Sequence, residues 1–170
     1  MSLTRRDLLA STGVLVMSRV PARLARLALQ TAEKEAPMNS RPLMTLRLAT
    51  AATQDIGSTP HGSLSIFPVI GGSFEGDRLR GKVLPGGGDW VAAKPDGTLD
   101  LDLRVTLEAD DGALIYMTFT GVRDDKNHYF RTLPLFETAA PKYQFLNRLL
   151  AVGTGEIRPE GPVHIIEELL

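Results

Sequence analysis

Four pairs of side chains have types and spacings suited to chemistry on a small molecule. Asp89 and Trp90 follow three consecutive glycines, Asp102 and Arg104 stand two apart, as do Tyr129 and Arg131, and Tyr143 and Asn147 lie one helical turn apart. A carboxylate at Asp89 or Asp102 suits a general base, with Tyr129 or Tyr143 as proton donor. Arg104 and Arg131 would hold a carboxylate or enolate oxygen, because a guanidinium stays charged and offers paired donors. Trp90 would form an apolar wall that raises the pKa of a neighbouring carboxylate, and Asn147 would add hydrogen bonds to a ligand. Three functions accommodate the same residues. One is a cofactor-independent isomerase, lyase or cyclase acting on a small anionic or carbonyl compound. The second is a carrier in which these groups only orient a small molecule. The third is a structural module in which Asp102 and Arg104 face solvent and cross-link strands, the usual fate of strand charges.

Other chemistries find no support. There is no cysteine, which excludes disulfides, thiolate metal sites and cysteine nucleophiles. His61, His128 and His164 share no metal-like spacing and read as surface or turn residues, so no metal site is expected. Gly71 and Gly76 match the glycine spacing of a phosphate loop, but Asp77-Arg78 follows where Lys and Ser/Thr are needed. Gly86-Gly87-Gly88 precedes no helix, and no Gly-x-Ser-x-Gly elbow is present. No cofactor is expected.

The elements that must position these residues read as strands. From Leu43 onward alternation with period two dominates. Leu99, Leu101, Leu103, Val105 and Leu107 alternate with Asp100, Asp102, Arg104, Thr106 and Glu108, the pattern of a strand with one apolar face. Asp110-Asp111-Gly112 then supplies a tight turn into a second strand at 113–120. Further strands are expected at 43–50, 63–70, 78–84, 128–133, 149–157 and 162–169. Gly/Pro clusters, among them Gly71-Gly72 and Pro85 to Gly88, separate them. A short helix is expected at Pro141–Leu149, with Pro in its first turn and Tyr143, Leu146 and Leu150 on one face. Recurrent turns between short strands predict an all-β fold, a single antiparallel barrel or sandwich with one or two short helices.

Charge distribution sets the first residues apart. Of 19 Lys/Arg and 20 Asp/Glu, residues 1–38 hold six and three, which leaves 13 and 17 in the remainder. A mildly acidic body without a basic stripe argues against nucleic acid as a partner. Arg5-Arg6 before a short apolar run to Met17 resembles a twin-arginine export signal, although Leu8 and Ala10 depart from its usual Phe and Lys. The run is too short to span a bilayer, so no stable membrane anchor is expected. Two alternatives stand beside export: translation that starts at Met38, or an Arg-rich surface helix over 19–35. The expected division is a signal or non-native leader at 1–37 and a barrel domain at 38–170. Location follows from it: periplasmic or exported with a functional signal, cytoplasmic with a start at Met38.

A set of collinear segments completes the reading. Phe67 to Gly76 (FPVIGGSFEG), Leu79 to Trp90 (LRGKVLPGGGDW), Leu101-Asp102-Leu103-Arg104 and Asp111-Gly112-Ala113 come first. Tyr129-Phe130-Arg131-Thr132, Phe136-Glu137-Thr138, Tyr143 to Asn147 and Val152 to Gly155 follow. In this order they resemble domain of unknown function 3237, the uncharacterised protein family numbered 0311, over roughly residues 43–169. The resemblance implies a closed antiparallel barrel of the lipocalin or streptavidin general type, and no established activity. It singles out Asp89, Trp90, Arg104, Arg131 and Asn147 as residues beyond the needs of turns or core. It also marks two departures: Ser63-Leu64-Ser65 stands where relatives carry an arginine, and the loop before Tyr129 is short.

Overall fold

The computed structural model describes residues 38–170, so the signal or leader expected at 1–37 lies outside the described residues. The chain runs through β1 (Ser40–Thr50), β2 (Gln54–Thr59), β3 (Gly62–Glu75), β4 (Arg80–Val83), β5 (Gly87–Ala93) and β6 (Leu99–Ala109). It continues through β7 (Leu114–Asp124), β8 (Tyr129–Glu137), a 3-10 helix (Pro141–Arg148), β9 (Ala151–Arg158) and β10 (Gly161–Leu169). Every pairing is antiparallel, and β1 joins both β10 and β3, which closes an eight-stranded barrel. β4 and β5 together make one interrupted stave between β3 and β6, while β2 pairs with β3 alone.

The alternation expected at 99–108 governs β6: its leucines and Val105 are inward and buried, apart from the partly buried Leu99 at the strand's start. They meet Leu46, Phe74, Ile115, Met117, Phe119 and Ile166 in a packed core that fills most of the interior. Two strands went unforeseen. β5 begins inside the glycine run that reads as a turn, because a Cβ on Gly87 would lie 2.3 Å from the Arg104 carbonyl oxygen. Glycine there lets β5 approach β6. Gly71-Gly72, read as a separator, lies within β3, where a Cβ on Gly72 would meet the Arg47 carbonyl oxygen at 2.1 Å. β2 has no apolar alternation to announce it, and most of its residues are exposed.

The helix plugs one end of the barrel. At 3 residues per turn its inner face carries Tyr143, Leu146 and Leu149, whereas Leu150, expected on that face, is 65% exposed. Glu168, near the same end, accepts hydrogen bonds from Arg41 (2.8 Å) and Arg78. The opposite end, ringed by the β2–β3, β5–β6, β7–β8 and β9–β10 turns, is the mouth.

Candidate functional site

Just inside the mouth the core gives way to a cavity of about 80 Å³. Its wall is mostly apolar, with Leu48, Phe67, Val69, Val91, Leu101 and Phe130 among its residues. Three ionisable side chains join them: Asp89 from β5, Arg123 from β7 and His164 from β10. Strand register explains their direction. Asp89 stands opposite the inward Leu103, and His164 shares a face with buried Ile166 two residues on.

Among the described residues Asp89 Oδ1 and His164 Nδ1, both buried, have no hydrogen-bond partner, which is costly in a folded protein. Burial pushes the Asp89 carboxyl up to about 6; a backbone hydrogen bond at Asp102 offsets part of the rise, and the Asp102 charge adds to it. Burial pushes the His164 imidazole down to about 4, so it is neutral at pH 7. The ring lies 4.9 Å from Phe119 and edge-on to Phe130 at 5.2 Å, which holds its plane. Arg123 is tied to Asp125 through Nε (2.6 Å) and Nη2 (2.8 Å). Thr132 Oγ1, from β8, is a third buried polar atom without a partner. At pH 7 a carboxyl that titrates near neutrality can take up or give a proton, and a neutral imidazole on the same cavity wall can offer a hydrogen bond.

The eight residues singled out by sequence do not converge. Asp89 alone among them lines the cavity. Trp90, Asp102 and Arg104 face outward, with Arg104 Nη2 3.1 Å from Asp102 Oδ2 and its guanidinium 6.0 Å from the Trp90 ring centre. Tyr129 and Arg131 are exposed on β8, the guanidinium 5.2 Å from the Tyr129 ring. Tyr143 is buried at the plugged end and donates to Asp111 (2.9 Å). Asn147 accepts from the Thr138 amide and donates to its carbonyl, both at 2.9 Å. The period-two rule accounts for the division: if Leu101 and Leu103 point in, Asp102 and Arg104 must point out.

His164 is a correction to the sequence reading, being 1% exposed rather than a surface or turn residue. His61 and His128 are exposed in turns, as expected. The signal for His164 was its spacing from Ile166, but the other face of β10 offers Val163 and Ile165, so alternation did not say which side was inward. Among the described residues no group of three or more His, Asp or Glu side chains stands ready to hold a metal ion.

Comparison with known proteins agrees with this architecture. A UPF0311 protein of Rhodopseudomonas palustris is 29% identical over 149 residues, 78% of this chain and 97% of the relative. A UPF0311 protein of Clostridium acetobutylicum is 36% identical over 115 residues, 58% of this chain and 73% of that one. A crystal structure of a beta-barrel-like protein from Acinetobacter baumannii superposes with a TM-score of 0.76 at 29% identity, covering 81% of this chain and 99% of that one. An enzyme from Penicillium herquei shares the fold at a TM-score of 0.67 and 23% identity, covering 79% and 96% of the two chains. The family model described as protein of unknown function (DUF3237) matches residues 38–167, and the chain belongs to that family.

Proposed function

We propose that this barrel binds a small carbonyl compound at its mouth and moves protons on it without a cofactor, with Asp89 as base and acid. The observation that carries the reading is the pair of buried, unpartnered polar atoms, Asp89 Oδ1 and His164 Nδ1, on side chains that line one cavity. Burying two ionisable groups without partners costs stability, and ligand binding is one use that repays it. The ionised Asp89 would take a proton from the carbon next to the carbonyl. The electron pair would move to the carbonyl oxygen, where His164 in its Nδ1–H form would donate a hydrogen bond. Return of the proton at a different carbon completes an isomerisation; loss of a leaving group completes an elimination. A cavity of about 80 Å³ admits only the reacting end, since whole ligands fill roughly 300–1,000 Å³. The rest of the molecule would lie on Leu99, Ile157 and Pro162 towards the rim. Because Arg123 is already held by Asp125, the cavity suits a neutral carbonyl better than an anion.

The mainly apolar wall also supports a carrier, and one experiment separates the two. The protein is incubated in D2O with a panel of small enolisable ketones and esters, and binding and carbon–deuterium exchange are followed by NMR. Catalysed exchange that falls at least about 100-fold in Asp89→Asn is the expected result, the lower end of what a general base contributes. Binding without exchange would leave the carrier, and exchange that survives Asp89→Asn would remove Asp89 from the chemistry.

A further inference from the structure

The outer face of the barrel carries a second feature. β6, β7 and β8 lie side by side, and their outward residues form rows: Asp102 with Thr120 and Leu133, then Arg104 with Thr118 and Leu135. Tyr116, Val122, Tyr129, Leu133, Leu135 and Leu150 on and beside this face are between 41 and 65% exposed. At about half of the roughly 150–250 Å² that a large aromatic side chain can bury, and less for Val, they expose about 500–600 Å² of apolar surface. That lies at the upper end for the largest patch of a monomer, roughly 300–600 Å². A standard interface buries ~800 Å² per partner, of which the apolar residues here would supply the larger part.

We propose that this face is where a second copy of the chain docks. Shape is the first argument. Two grooves, of about 620 and 700 Å³, lie along the face and meet at Thr120 and Leu133, which line both. A two-fold interface uses the same patch on both copies, so the exposed Leu133 of each can enter a groove of the other. Charge is the second argument. The grooves hold Asp100 and Asp102 against Arg104 and Arg131, two of each sign, so the face neither attracts nor repels its own copy. An anionic membrane or a nucleic acid would need an excess of cations that the face lacks.

The manner of contact follows from β8. It pairs with β9 only at Arg131 and Thr132, so among the described residues Leu133 to Glu137 have a strand partner on the β7 side alone. Pro134 sits among them and has no N–H to offer, which discourages addition of another strand. The second copy therefore packs side chains against the face and does not extend the sheet.

Light scattering of the full chain at about 10 µM should give a mass of at least twice 18.5 kDa. Leu133→Glu changes an outward side chain and should keep the β-type circular dichroism spectrum while weakening association at least about 100-fold. Ile70→Glu, on the outward side of β3, should leave the mass unchanged. A wild-type protein that stays monomeric to about 100 µM overturns the proposal without recourse to any variant. So does a folded Leu133→Glu that assembles normally, or an Ile70→Glu that falls apart.

Discussion

Asp89 and His164 leave opposite marks on stability as pH changes. A carboxyl raised from 3.8 to about 6 holds its proton longer in the folded state, so its contribution is greatest at low pH and fades as pH rises through that range. An imidazole lowered from 6.5 to about 4 is neutral in the folded state while the unfolded chain takes up a proton. Its contribution is complete above pH 6.5 and fades as pH falls towards 4. Each shift is worth about 3 kcal/mol at 1.36 kcal/mol per pH unit, and over pH 4–6 the two nearly cancel. Relative to wild type, Asp89→Asn should gain about 3 kcal/mol of stability from pH 4 to 6, and His164→Gln should lose as much. Urea unfolding at several pH values measures both, and parallel profiles for all three proteins would show that neither group titrates as its burial implies. Asp89 entered the sequence reading through the family resemblance, and its place on strand β5 opposite the inward Leu103 turns it to the cavity wall. His164 was not legible in the sequence, since burial of a lone polar residue in a strand is decided by partners far away in the chain.

At the scale of elements, the short helix shows how a correct segment can carry misplaced residues. Its position was legible from Pro141, but the choice of 3-10 over α turned Leu150 out and set Tyr143 and Asn147 to different tasks. Tyr143 and Lys142 both reach Asp111, in the turn between β6 and β7, and so clamp the plug to the barrel. Asn147 binds both backbone groups of Thr138, which fixes the path from β8 into the helix. Asn147→Ala should therefore cost about 1–2 kcal/mol in thermal or urea unfolding, the worth of two hydrogen bonds, and leave ligand binding intact. Loss of binding without loss of stability would return Asn147 to the site. The interrupted stave was illegible for a related reason: glycines that permit close approach look the same in sequence as glycines that turn. Gly155 is another such case, because a Cβ there would lie 2.6 Å from the Phe130 ring that packs on His164.

For the whole molecule, the barrel closes with described residues alone, since β1 supplies both seams from Ser40 onward. A chain that starts at Met38 should then melt within a few degrees of the full-length protein. A drop beyond about 4–8 °C, the effect of roughly 1 kcal/mol in a small domain, would place part of residues 1–37 against the barrel. The same closure has a consequence in time. Ser40 pairs with Leu169, and the Leu170 amide donates to the Asn39 carbonyl at 2.9 Å, so the seam joins the two ends of the domain. Hairpins such as β6–β7 can form as soon as their own residues meet, within microseconds. The β1–β10 seam must wait until β10 has been made and has found β1, a search that puts such barrels among the slow folders, at milliseconds to seconds. Until then β1 and β10 each present an open edge, and a newly made chain is most exposed to mispairing with its neighbours in the interval before its last strand arrives.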